Sequence, residues 1–202
     1  MSAKSDSTTE AHLTQLREEG WCVIENVIPQ AKVDGIRHAA EAVNEKATAA
    51  YNKENTNVIT YLQSFAPHLA DNHVLGIVKT VFNHPHVRIA RTQIRVLPLH
   101  AGGDVKLDVD EKPLRGYHSD WPHDLTDLSG SGRIHQPFPD IVMALTTLWM
   151  LSPFTKQNGG TWIVPRSHRD IRNPRGNDGI DGLQPIRNEM QVTGSAGSVF
   201  MM

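Results

Sequence analysis

Two places in the 202-residue chain put an imidazole and a carboxylate at metal-binding spacing, His118 with Asp120 and His168 with Asp170. On a strand, side chains alternate between faces, so both members of a His-x-Asp pair project from one side. Such a pair supplies two of the three ligands of the facial triad that binds non-haem Fe(II). That triad leaves adjacent coordination positions open for substrate chemistry. Spacing alone does not choose between the pairs, and each is equally readable as a solvated histidine near an aspartate. Their surroundings have to separate them.

Composition narrows the partners. The length suits one domain with a real core. A net charge of −2 and the absence of any Lys/Arg cluster argue against nucleic acid and anionic membrane as partners. The apolar runs are too short to span a bilayer. Residues 1–9 are polar, lack the apolar stretch of a signal peptide and read as a disordered lead-in. Cys22 is the single cysteine, which excludes an internal disulfide framework and fits a reducing cytoplasm. Within Trp21-Cys-Val-Ile24 it reads as a small core residue. With eleven histidines and one cysteine, any metal site here would use nitrogen and oxygen ligands.

Helical patterning dominates residues 10–86. Leu13 and Leu16 share a face of a helix over Thr9–Glu19, with Ser7 and Glu10 at capping-box spacing and Gly20 as its stop. A strand over Trp21–Val27 follows. Pro29 then opens a longer helix with Val33, Ile36, Ala40, Val43, Ala47 and Ala50 at helical intervals. His12 and His38 on these helices read as surface or satisfied core groups. Val58–Leu62 fits either a strand or a buried helical turn. Asp71 or Asn72 caps a helix reaching Phe82. Asn83-His84-Pro85-His86 reads as a loop, because the proline separates the imidazoles in a turn.

From Val87 the texture is strand-like, and residues 87–202 read as the β part of the same domain. Ala90, Thr92, Ile94 and Val96 share one face of Val87–Leu97; Arg91, Gln93 and Arg95 share the other. That polar face is either half exposed to water or lines a cavity for an anionic ligand. Asp140–Leu151 reads as a strand buried on both faces. Asn158-Gly-Gly160 makes a turn into a strand over Thr161–Pro165. Residues 174–188 form a loop of the kind that covers a site.

Gly116-Tyr-His-Ser-Asp-Trp-Pro122, the strand Leu145–Trp149 and Gln157-Asn-Gly-Gly-Thr-Trp-Ile-Val-Pro-Arg-Ser-His168 together resemble the phytanoyl-CoA dioxygenase family. The opening Gly20-Trp-Cys-Val-Ile-Glu25 after a helix is also similar, so the resemblance covers almost the whole chain. One departure is Arg166, where the family usually carries glycine in Pro-Gly-Ser-His.

The resemblance implies a mainly β fold with flanking helices, a double-stranded β-helix of the jelly-roll or cupin type. It implies an Fe(II)- and 2-oxoglutarate-dependent dioxygenase that uses O2 to hydroxylate a small-molecule substrate, with succinate and CO2 as co-products. His118 and Asp120 fall on the family's metal ligands, whereas His168 falls on its structural Ser-His. His123 is left as a loop histidine. Gln93 and Arg95 become candidate cosubstrate contacts, and Trp149 a candidate wall of the same pocket. An aspartate at 120, rather than the small residue of halogenating relatives, favours hydroxylation. The family's distal histidine and cosubstrate arginine are expected beyond Met202, so the last strands are missing from this chain and a longer protein is expected. Two alternatives stand beside this reading. One is a metal-free relative acting as a binding module. The other is a cupin-like metal lyase or isomerase that recruits a histidine such as His100 or His135.

Overall fold

Leu13 and Leu16, one turn apart, are the buried pair that turns the first helix towards the rest of the chain. In the computed structural model, which describes residues 3–51, 58–95, 115–118, 142–158, 160–170, 172, 174 and 179–202, that helix is α1 (Ala3–Glu19). It starts ahead of Ser7, so the Ser7/Glu10 pair lies inside the helix instead of capping it. It ends where expected: Gly20 adopts φ +83° and its N–H closes on the Leu16 carbonyl at 3.0 Å. Strand β1 (Cys22–Ile24) follows, shorter than expected. Ile28 and Pro29 lead into α2 (Gln30–Tyr51), which buries Val33, Ile36 and Ala40 at helical spacing. After α3 (Ala66–Leu69), Asp71 caps α4 (Asn72–Val81) by accepting from the N–H groups of His73 and Val74, each at 3.0 Å.

The strands form two antiparallel sheets. Strand β5 (Val199–Met201) lies between β1 and β2 (Thr147–Trp149), while β3 (Trp162–Ile163) pairs with β4 (Met190–Gln191). Register decides what each face does. Cys22, Met201 and Thr147 lie abreast, as do Ile24, Val199 and Trp149, and these rows share one face. That face packs on Leu13 and Leu16 of α1 and on Val74 and Ile77 of α4. The middle row, Val23, Phe200 and Leu148, points the other way. It meets Ile163, Val192 and Met150 in a second core between the sheets. Strand β5 is buried on both faces, and Phe200 alone contributes about 1.5–3 kcal/mol of burial.

Several expected strands differ. Residues 87–95 carry a single strand-like position, a β-bridge at Gln93, while the Thr92 carbonyl accepts from Val58 N–H and Thr92 Oγ1 from Ile59 N–H. Ala90 is exposed, so the apolar row is only partly used, through Ile94 packed on Ala40, Val58 and Leu62. Val58–Thr60 is a short 3-10 turn, which settles the ambiguous segment. The run ahead of β2 is half exposed rather than buried on both faces, with Val142 46% exposed. The two sheets do not close into a barrel among the described residues. No helix among those residues is long and apolar enough to cross a membrane.

Candidate metal centre

Arg115–His118 is held against the chain that precedes β4. Arg115 N–H donates to the Leu183 carbonyl at 3.1 Å and Tyr117 N–H to Gly182 at 2.8 Å. Glycine is required at 182, because a Cβ there would stand 2.8 Å from the carbonyl oxygens of both Pro174 and Tyr117.

Side chains complete the attachment. The Arg115 guanidinium meets Glu189 as a fork, Nη2 to Oε1 at 2.7 Å and Nε to both oxygens at 3.0 and 3.1 Å. Tyr117 donates its hydroxyl to Glu189 Oε2 at 2.8 Å, and Ile186 N–H donates to the same oxygen at 3.1 Å. The guanidinium also lies 4.1 Å over the Trp162 ring. Arg115 and the other donors hold the Glu189 carboxyl down at about 2. Burial, and then the hydrogen bond to Glu189, push the Tyr117 phenol upward.

His118 is exposed, and its Nδ1 lies 3.0 Å from the Gly116 carbonyl. A carbonyl can only accept, so Nδ1 carries a proton, and in the neutral ring the lone pair then belongs to Nε2. Metal-binding histidines are held in this way, with one ring nitrogen donating to a carbonyl and the other facing the metal. Of the expected ligand pair, the described residues supply one nitrogen donor, His118. Asp120 lies outside the described residues, as do His100, His123 and His135. Among the described residues no three His, Cys, Asp or Glu side chains converge on a common point.

The other expected site residues are placed as follows. Gln93 is half-buried and Arg95 exposed. Trp149 lies on the helix-facing side of its sheet, edge-on to Phe65 with ring centroids 5.1 Å apart, and its Nε1–H donates to Thr147 Oγ1. His168 and Asp170 are engaged elsewhere: His168 Nε2 donates to the Arg17 carbonyl at 3.2 Å, and Asp170 takes the Arg172 guanidinium at 2.6 Å. Arg166 stands at φ +68°, a backbone that favours glycine, and donates its N–H to the Glu19 carbonyl. Arg115 and Glu189 were not singled out from the sequence. Seventy-four positions separate them, and no local spacing signals the pair.

Paired antiparallel sheets with helices packed on one outer face agree with a jelly-roll type of fold in general. The family model of phytanoyl-CoA dioxygenase matches residues 16–202, and the chain belongs to that family. Its members are in general iron-binding oxidoreductases of the dioxygenase type. An uncharacterised protein of Mycobacterium tuberculosis and another of Mycobacterium bovis are each 25% identical over 192 residues, covering 90% of this chain. The chain spans 62% of the length of each of these relatives.

Proposed function

We propose that this chain carries part of the active site of a non-haem Fe(II)- and 2-oxoglutarate-dependent dioxygenase that hydroxylates a small molecule, releasing succinate and CO2. The observation that carries the proposal is His118, an exposed imidazole whose Nδ1–H is committed to the Gly116 carbonyl, in a His-x-Asp segment that resembles the family's and lies inside the matched residues 16–202. In this reading His118 Nε2 and the Asp120 carboxylate hold the metal. Iron bound there supplies the oxidising chemistry. The residues of this chain fix the ligand imidazole in one tautomer and aim it. Gln93 and Arg95, on the polar side of residues 87–95, are the candidates for meeting the cosubstrate carboxylates, Arg95 by charge and Gln93 by hydrogen bonding. A buried, lone Cys22 agrees with a cytoplasmic location.

The test uses the full native protein, supplied with Fe(II), 2-oxoglutarate and O2. Succinate should form, and His118→Ala or Asp120→Ala should abolish it while leaving the fold intact by circular dichroism. Succinate formation that survives both substitutions would exclude this pair as ligands. Turnover of a substrate without 2-oxoglutarate or O2 would point to a lyase or isomerase.

A further inference from the structure

We infer that Glu189, remote in sequence and not itself a ligand, is a positioning residue that aims His118 at the metal. The inference rests on the proposed metal-binding role of His118. Glu189 is the acceptor on which the segment converges: Arg115 Nε and Nη2, the Tyr117 hydroxyl and Ile186 N–H all donate to its two oxygens. Arg115 and Tyr117 flank Gly116, whose carbonyl holds the His118 ring. The carboxylate thus grips the chain on both sides of the group that sets the imidazole's tautomer and direction.

The burial of the pair separates it from a surface ion pair. Arg115 and Glu189 side chains are each 14% exposed, whereas the side chains of the Arg166–Glu19 pair are 73% and 28% exposed. Trp162 covers the guanidinium from one side, so the fork is anchored to β3 as well as to the chain before β4. His118, the next residue along, is exposed. One end of the segment is clamped and the other presents a ligand, which is what a metal site needs from its support. Removing the carboxylate leaves a half-buried guanidinium and a phenol hydroxyl without their acceptor, and the segment is then held to this region mainly through its backbone bonds to Gly182 and Leu183.

The experiment measures Fe(II) affinity of the full native protein by anaerobic titration calorimetry, with thermal melting alongside. Glu189→Gln should weaken Fe(II) binding about 10- to 100-fold, the usual effect of removing support behind a metal ligand. Tyr117→Phe, which deletes one hydrogen bond and keeps the ion pair, should weaken it less but measurably, and it covers the case in which Glu189→Gln does not fold. Leu62→Ala, in the helical core packed on Ala40 and Val58, should lower the melting temperature and leave Fe(II) affinity as in the wild type. Wild-type affinity in Glu189→Gln, or an equal loss in Leu62→Ala, overturns the inference while leaving His118 as a ligand. Wild-type affinity in His118→Ala overturns the underlying reading, and the positioning role with it.

Discussion

Gly20 lies directly beneath the His168 ring, so that a Cβ on Gly20 would come within 2.8 Å of His168 Cγ and closer still to Nδ1. The contact joins the end of α1 to the turn after β3. There Arg166 N–H donates to the Glu19 carbonyl, and His168 Nε2 and the Arg169 guanidinium both donate to that of Arg17, carbonyls the helix itself leaves open. Gly20→Ala meets two penalties, the clash and a backbone at φ +83°. The expected loss is about 1–3 kcal/mol of unfolding free energy by urea denaturation. Adding His168→Ala should recover the part due to the clash and leave the part due to φ. Strict additivity of the two changes would show that the ring is not what Gly20 makes room for.

Asp71, one of the two caps the sequence offered for α4, is the one used, and both of its hydrogen bonds run to N–H groups of the first turn. Asp71→Ala should cost about 1 kcal/mol, and Asp71→Asn much less, because the amide oxygen can accept the same bonds. Equal losses from both substitutions would instead assign the effect to the negative charge at the helix start. Chemical denaturation at low and high salt separates the two.

Elements whose physics is local were legible in advance. Gly20 as a stop, Pro29 as an opening and Asp71 as a cap each act within one turn of helix, and the apolar spacing of Val33, Ile36 and Ala40 names its own buried face. Strand bounds were not legible, because a strand exists only where a partner supplies the ladder. Residues 87–95 alternate well, yet among them only Gln93 takes a bridge position, and Thr92 bonds to residues 58 and 59. The candidate site divides in the same way. His118 was visible from its motif, whereas the Arg115–Glu189 fork joins residues that nothing local connects.

His12 and His73 join α1 to α4, His73 Nε2 lying 3.3 Å from His12 Nδ1 and Thr9 Oγ1 3.2 Å from His73 Nδ1. Burial first, and the neighbouring His73 second, lower the proton affinity of His12 below its ordinary 6.5. The unfolded chain therefore binds the proton more readily than the folded one. The stability contributed by neutral His12 is complete above pH 6.5 and is lost as pH falls through the lowered folded value. Urea midpoints followed against pH should be level above that point and fall below it. His12→Gln should flatten part of the fall, and an unchanged slope in that variant would remove His12 as its source.

Cys22 lies fully buried where β1 meets the helices, against a core that includes Leu13, Leu16, Ile24 and Ile77. Burial pushes its thiol up to about 12, so almost no thiolate exists in the folded state near neutral pH. Reaction with a thiol reagent at about pH 8 should be slow in the native protein and should accelerate in step with unfolding as urea is added. The same burial orders two substitutions. Cys22→Ala leaves a small void in an apolar setting, whereas Cys22→Ser places a hydroxyl there that must find a partner or lose about 1–3 kcal/mol. The serine variant should therefore be the less stable, although serine is the closer match to cysteine in size. The reverse order, measured by urea denaturation, would mean that a hydrogen-bond acceptor lies within reach of position 22.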